Sequence, residues 1–83
     1  MTRYSDLETS LEQLTVGQRG RIIALAESPF RHRLVELGFV PGTIVSVKRF
    51  SPLRDPVELE LRDTRVCLRQ SETRQITVQL IPL

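Results

Sequence analysis

One stretch of ten residues, from Arg33 to Gly42, constrains the fold more than any other part of this chain. Gly38 supplies the positive φ that a left-handed helix cap requires, and the apolar residue after it can fold back onto the helix. Pro41 and Gly42 follow at once, and this pair favours the second and third positions of a type II turn. The stretch predicts a helix that stops at Gly38 and a chain that is turned directly into a strand.

The helix that ends there has a clear start. Ser28 can cap free N–H groups and Pro29 suits the first helical position, so the helix is predicted to begin at this pair and to run to Leu37. Phe30, Leu34 and Leu37 fall at i, i+4 and i+7 and form the expected inward stripe. We therefore expect a short connecting helix with one apolar face.

Apolar residues alternate with polar ones over most of the remaining chain, which is typical of half-buried strands. A first strand is predicted from about Arg19 to Ala26, and four more follow the turn. Short strands in one small domain avoid exposed edges by closing, so the predicted fold is mainly β: a small barrel of about five strands with one short helix between the first and second. The alternating apolar residues of the last four strands are Val45 and Val47; Val57, Leu59 and Leu61; Val66 and Leu68; and Ile76, Val78 and Leu80.

The N-terminal residues 1–10 are predicted to be an arm, and residues 11–83 one barrel domain. Tyr4, Leu7 and Leu11 have roughly helical spacing, and Ser5 with Glu8 has the pattern of a capping box. A short helix and a frayed tail both remain open for this arm.

Chain length, cysteine content and the lack of long apolar segments limit the functions that this protein could have. A chain of 83 residues needs its volume for packing, so a solvent-excluded catalytic cavity is disfavoured and no enzyme activity is expected. Cys67 is the single cysteine, which excludes an internal disulfide and fits a reducing compartment. The first residues lack a secretion signal, and the longest apolar run, Ile22 to Ala26, is far too short to insert into a membrane. A cytoplasmic protein is expected.

Two weak site candidates have simpler structural interpretations. His32 and Glu36 lie four residues apart and could share a divalent metal ion, but two ligands fall short of a stable site, so no cofactor is predicted and an exposed helical pair is favoured. Cys67 has no second cysteine nearby, which favours a structural thiol over a reactive one.

The arginines raise a nucleic-acid alternative. Eleven of the twelve basic residues are arginine, and several could gather on one side of a barrel and follow a phosphate backbone. Interleaved acids such as Glu58 and Glu60 argue instead for a mixed surface, and aromatic residues for base stacking are few. The arginines concerned are Arg31, Arg33, Arg49, Arg54, Arg62, Arg65 and Arg69.

Taken together, these motifs resemble the FeoA family, small proteins that accompany the FeoB ferrous iron transporter of bacteria. The combination of a Leu-Gly helix end, an immediate Pro-Gly turn and a proline-bounded loop after a strand is specific, whereas any one piece would be weak. The resemblance covers most of the chain and rests on Leu11 to Leu14 with Gly17, Gly20-Arg21-Ile22, Arg33 to Gly42, Ser51 to Pro56, Leu68-Arg69 and Ile76-Thr77-Val78.

The resemblance implies an SH3-like barrel and a non-enzymatic role as accessory or regulator of ferrous iron uptake, through contact with the cytosolic side of FeoB. Similar barrels form C-terminal domains of metal-dependent repressors of the diphtheria toxin repressor type, so a metal-responsive regulatory module is the related alternative. Two positions depart from the family pattern: Arg54 stands where family loops usually carry Gly, and Glu72-Thr73 stands where Glu-Ala is common.

The predicted partner-binding surface combines the proline-bounded loop with the basic face of the helix. Its residues are Arg31, Arg33, Leu53, Arg54, Asp55 and Pro56. An apolar tip such as Leu53 can equally pack onto its own loop, which is the simpler interpretation. An open barrel edge could also support weak self-association.

Overall fold

The structure, a computed structural model, describes residues 7–82. Within them, six strands and three short helices follow one another in the order β1, η1, β2, α1, β3, β4, β5, α2, β6. The bounds are β1 Glu8–Ser10, 3-10 helix η1 Leu11–Gln13, β2 Arg19–Leu25, α1 Arg31–Glu36, β3 Ile44–Phe50, β4 Val57–Leu61, β5 Thr64–Leu68, α2 Gln70–Thr73 and β6 Ile76–Ile81.

All six strands belong to one antiparallel sheet with the order β1-β6-β2-β3-β4-β5. The predicted mainly β fold, with its small helix between the first and second predicted strands, is confirmed, and β1 is a sixth strand that the sequence analysis did not anticipate. Helices η1 and α2, each adjoining one edge strand, contact each other. Arg74 Nη2 lies 3.2 Å from Glu12 Oε2 across this junction.

The sheet bends around a single apolar core. Register shifts interrupt β2 between Ile22 and Ala24 and β3 between Val47 and Arg49, and such bulges increase the local bend and twist of a strand. Gly20 allows β2 and β6 to approach closely, because an added Cβ would lie 2.8 Å from the Val78 Cβ. The buried core comprises Leu11, Leu14, Ile22, Leu34, Phe39, Val45, Val47, Val57, Leu59, Leu61, Leu68, Ile76 and Val78.

Helix α1 ends in a Schellman motif built on Gly38, whose φ is 106°. The Phe39 N–H donates to the Leu34 carbonyl at 2.9 Å, and the Gly38 N–H donates to the Val35 carbonyl at 3.0 Å. Phe39 and Leu34 are both fully buried. The helix end is thus fixed by two backbone hydrogen bonds and by burial of the side chain that follows the glycine.

The next turn joins this helix end to the sheet. The Thr43 N–H donates to the Val40 carbonyl at 3.1 Å, and Gly42 has φ 96°, as a type II turn with Pro41 at its second position requires. Ile22 of β2 then exchanges two hydrogen bonds with the turn, donating to Thr43 at 2.9 Å and accepting from Gly42 at 2.8 Å.

The predicted bounds of this helix were too wide. Helix α1 begins at Arg31, and Ser28 acts just before it by accepting a hydrogen bond from the Phe30 N–H at 3.2 Å. Leu37 is 36% exposed and does not join the inward stripe. Because the helix has only six residues and the chain reverses at Gly38, Phe39 occupies the interior in place of Leu37.

The arm forms a strand in its described part. Glu8–Ser10 pairs with β6, and the 3-10 helix follows without a gap. Tyr4 and Ser5, on which the predicted helix partly depended, lie outside the described residues. Across residues 7–82, every helix falls short of the length and apolar character that membrane crossing demands.

Candidate functional site

The loop between β3 and β4 projects its apolar tip into solvent. Leu53 is 88% exposed, the highest value among the exposed large apolar side chains of residues 7–82. It does not pack onto its own loop, so the simpler interpretation of this residue does not hold here. Binding residues are found disproportionately on loops, so this exposed position makes Leu53 a candidate contact residue.

The backbone of this loop is held by local contacts. The Ser51 N–H donates to the Pro56 carbonyl at 3.1 Å, and the Arg54 N–H donates to the Ser51 carbonyl at 2.7 Å. Arg54 has φ 65°, a left-handed conformation that favours glycine. Its guanidinium lies 4.5 Å from the centroid of the Phe50 ring, a cation–π contact that fixes the side chain.

Helix α2 anchors the base of the loop. The Gln70 N–H, at the first position of α2, donates to Asp55 Oδ1 at 3.0 Å, and the Gln70 side-chain amide donates to the Arg54 carbonyl at 3.2 Å. Asp55 therefore satisfies a free helix N–H while it positions the loop. The loop is docked onto α2 rather than free to move independently of it.

The same short helix is tied to α1. Glu72 is only 5% exposed, and its carboxylate accepts from the Arg33 guanidinium and, at 3.0 Å, from the Arg69 N–H. A buried carboxylate requires such partners, because an uncompensated buried charge is strongly destabilising. Arg33 therefore has a structural role in addition to its position on the predicted surface.

These contacts connect the two parts of the predicted partner-binding surface. Loop residues Arg54 and Asp55 bond to Gln70, and Glu72 of the same helix bonds to Arg33 of α1. Arg31 remains on the exposed face of α1, where its Nε lies 3.8 Å from Glu27 Oε1. We call the loop 51–56 together with Arg31 and Arg33 the loop–helix surface.

A separate cluster of charges covers the outer side of β3, β4 and β5. Arg65 pairs with both Glu58 and Glu60, while Arg49 and Lys48 approach them at 3.0 Å and 3.3 Å. Hydrogen bonds from Arg65 are the largest cause that lowers the pKa of Glu58 and of Glu60 below the ordinary 4.5. Since Arg49 and Arg65 are neutralised here, they do not extend a continuous basic track for nucleic acid.

The metal candidates form a pair. His32 Nε2 lies 2.6 Å from Glu36 Oε1, and both side chains are exposed. Within residues 7–82, no three His, Cys, Asp or Glu side chains are grouped so that they could hold a metal ion. The pair has the geometry of an exposed i,i+4 contact on α1.

Cys67 opens onto a shallow cleft at the foot of the loop. The cleft has a volume of about 140 Å³ and is lined by Arg49, Ser51, Pro56, Glu58 and Cys67. The thiol belongs to an exposed residue of β5 that lies opposite Glu58 in the sheet register. Pro56, assigned by the sequence to the contact loop, thus faces this cleft.

Two residues that position the site were not recognised from the sequence. Gln70 and Glu72 are the first and third residues of α2, a helix of four residues that gives almost no periodic signal. One sequence signal could have indicated this helix. Glu72 lies three residues after Arg69, and an acid at that spacing is one half of a capping box, which marks a helix start. From the sequence, Glu72 was noted only as part of a departure from the family pattern.

The family assignment follows from comparisons with known proteins. The FeoA domain model matches residues 9–80. The chain is 38% identical over 79 residues to the Fe(2+) transport protein A/Fe(2+) transporter FeoB fusion protein of Porphyromonas gingivalis. This match covers 95% of the chain but only 9% of the fusion protein.

Solved structures agree in fold. The FeoA protein of Chlorobium tepidum superposes with a TM-score of 0.82 and is 35% identical, covering 89% of this chain and 71% of that one. The zinc complex of Stenotrophomonas maltophilia FeoA, described as a procaryotic SH3 domain protein, gives a TM-score of 0.77 at 26% identity, covering 86% and 89% of the two chains. The predicted SH3-like fold is confirmed, and the chain belongs to the FeoA domain family.

Proposed function

We propose that this protein is a non-enzymatic, cytoplasmic accessory protein of ferrous iron uptake that binds the cytosolic part of a FeoB-type transporter. The observation that carries the proposal is the relative in which an FeoA part and an FeoB part are fused in one chain. Fusion keeps two functional partners at high effective concentration, so unfused relatives of the two parts are expected to meet in trans.

The loop–helix surface is the proposed contact. An exposed leucine beside arginines suits an interface, because apolar anchors supply the buried area and arginine supplies directional hydrogen bonds. The loop is also held in place before binding by Gln70 and by the Arg54–Phe50 contact. A preformed loop loses less conformational entropy on binding than a mobile one.

Ferrous iron is the cargo of the transporter in this proposal, and the accessory protein acts by docking. The exposed His32–Glu36 pair supplies two ligands, fewer than a resident iron site needs. Binding to the transporter is therefore expected to persist without iron.

The test is a binding titration of the purified protein against the soluble cytosolic domain of the FeoB from the same organism, with and without ferrous iron and at two salt concentrations. Wild type should bind saturably at both salt concentrations. The double variant Leu53→Asp/Arg54→Glu should bind at least about thirtyfold more weakly, because removal of a central anchor typically costs about 2 kcal/mol or more.

The conservative variant Leu53→Met/Arg54→Lys is the matched control and should retain binding, since it keeps an apolar tip and a positive charge. Circular dichroism would verify that each variant is folded. Unchanged binding by the folded charge-reversed variant would exclude the loop–helix surface, whereas failure of wild type to bind under every condition would reject the transporter domain as partner.

A further inference from the structure

A second basic surface lies on β2, away from the loop–helix surface. Arg19 and Arg21 are both exposed and, being two residues apart on a strand, they project from the same side of the sheet. Gly20 between them is buried against Val78. The strand is thus fixed at the residue that separates the two guanidinium groups.

The strands on either side offer these arginines no negative charge. Arg19 is in register with Ser46 of β3 and Ile81 of β6, and Arg21 is in register with Ile44 and Gln79. Among residues 7–82, no carboxylate forms an ion pair with Arg19 or Arg21.

Among the described residues, the nearest acids in these two rows of the sheet are one strand further away. Glu60 pairs with Ser46, and Glu8 pairs with Gln79, so each lies two strand spacings, about 10 Å, from an arginine of β2. This separation is close to the screening length of about 8 Å at physiological salt. Within residues 7–82, the charges of Arg19 and Arg21 are therefore not neutralised by a direct ion pair.

The opposite half of the same sheet face is arranged differently. There, Glu58 and Glu60 pair with three basic side chains of β3 and β5. A surface that serves only solubility typically mixes charges of both signs. Arg19 and Arg21 would then be expected to have acidic side chains beside them, as the basic residues of the Glu58–Glu60 cluster do. In the described part of the chain, the strand neighbours of Arg19 and Arg21 include no acid, so the guanidinium donors of both residues are available to a partner.

An apolar residue borders the pair. Ile44 is 39% exposed and lies directly beside Arg21 across the β2–β3 ladder. Aliphatic arginine stems extend such an apolar surface, so the patch can accept an apolar side chain between carboxylates. The phenylalanines pack in or against the core, and bases would therefore find no aromatic platform on them.

We propose that Arg19, Arg21 and Ile44 form a docking surface for an acidic polypeptide segment of a partner protein. Carboxylates of the segment accept hydrogen bonds from the two guanidinium groups, and an apolar side chain between them covers Ile44. Six residue steps along β3, about 20 Å, separate Ile44 from Phe50 at the base of the loop. The surface is thus a second contact and does not depend on the transporter being the partner at the first.

The test uses a synthetic peptide of alternating glutamate and leucine, titrated into ¹⁵N-labelled protein and followed by amide chemical shifts. Shifts should concentrate at Arg19, Gly20, Arg21, Ile44 and Ser46, and a lysine–leucine peptide should leave them unchanged. Arg21→Glu should weaken peptide binding about tenfold or more, because it removes a charge-assisted pair and adds repulsion.

Arg62→Glu is the matched control, since it makes the same charge change on an exposed residue of the β4–β5 turn and should keep the wild-type affinity. Arg21→Gln is the second variant if Arg21→Glu does not fold, with a smaller loss in the same direction. Absence of shifts, shifts mapped elsewhere, or equal losses in Arg62→Glu and Arg21→Glu would overturn the proposal. Binding of a single-stranded oligonucleotide in preference to the peptide would also overturn it and assign the patch to nucleic acid.

Discussion

Two irregular segments of this molecule have similar residue types, but one buries its apolar side chain and the other exposes it. The segment 38–42 and the loop 51–56 each contain proline and at least one residue with positive φ. The first uses glycine for its left-handed residues and buries Phe39 completely, whereas the second uses Arg54 for its left-handed residue and exposes Leu53. Only the first contributes a buried side chain to the core.

The difference lies in what each turn is bonded to. Segment 38–42 is held by backbone hydrogen bonds to α1 and β2, which are themselves part of the packed structure. The loop 51–56 has two backbone hydrogen bonds within itself. Its contacts with neighbouring elements involve side chains instead, through the bond from Gln70 to Asp55 and the packing of Arg54 on Phe50. A segment fixed by its own side chains can display an apolar residue, because its position does not depend on burying it.

The largest expected loss of stability is at Phe39, the buried apolar residue that contrasts with the exposed Leu53. Phe39→Ala should lower the free energy of unfolding by about 3–5 kcal/mol, because it removes a fully buried ring and leaves a cavity. This approaches the whole stability of a domain of this size, about 4–12 kcal/mol. Urea unfolding monitored by circular dichroism would measure it.

Leu53→Ala is the matched substitution in the loop and should change the free energy of unfolding by no more than about 0.5 kcal/mol. Equal losses of unfolding free energy in Phe39→Ala and Leu53→Ala would mean that Leu53 is packed in solution. The two segments would then not differ in the burial of their apolar residue.

Sequence patterns predicted segment 38–42 well, because its structure is determined locally. A glycine, then an apolar residue, then Pro41-Gly42 define a cap and a turn through φ preferences that act within a few residues. The inward position of Leu37 was wrong, since which of two neighbouring apolar residues enters the core depends on where the chain reverses. Spacing along an extended helix does not contain that information.

A smaller effect should distinguish the left-handed residues of the two segments. Gly38→Ala should cost about 1–2 kcal/mol, because an L-residue is strained at φ 106° and its Cβ would lie 3.3 Å from Leu61 Cδ1. Arg54→Gly relieves similar strain but loses the cation–π contact and makes the unfolded chain more flexible, so its net change should stay within about 1 kcal/mol.

Thermal and urea unfolding of Gly38→Ala and Arg54→Gly would supply both values, with Gly17→Ala as a further comparison, since Gly17 has positive φ but open space around its Cβ position. A loss at Arg54→Gly as large as that at Gly38→Ala would show that the loop is also built into the core.

The candidate site was less accessible to sequence reasoning than the fold. Leu53 and the loop were found because two prolines mark a strand connection. The anchoring role of Gln70 and Glu72 depends on residues 15 and 39 positions away in the chain, Asp55 and Arg33, and such pairings arise only after the sheet has formed. For the same reason Arg19 and Arg21 were not recognised as a basic pair, because the absence of acids from the strands β3 and β6 beside them is a property of strand order.

The smallest expected effect is the pH dependence of stability that arises from the charged strands on either side of the loop. Glu58 and Glu60 have pKa values below the ordinary 4.5, chiefly through hydrogen bonds from Arg65. A carboxylate with a lowered native pKa stabilises the fold above about pH 4.5, and this contribution is lost as the pH falls through the native pKa. Carboxyl ¹³C NMR titration should give midpoints below 4.5 for both glutamates, and these midpoints should move upward in Arg65→Gln.

Segment 38–42 serves as the control. Its hydrogen bonds join backbone groups, so the Phe39 amide shift should not follow the titration of the two glutamates. Identical glutamate midpoints in wild type and Arg65→Gln would mean that the ion pairs do not persist in water, and a Phe39 amide that titrates with them would mean that the two segments are coupled.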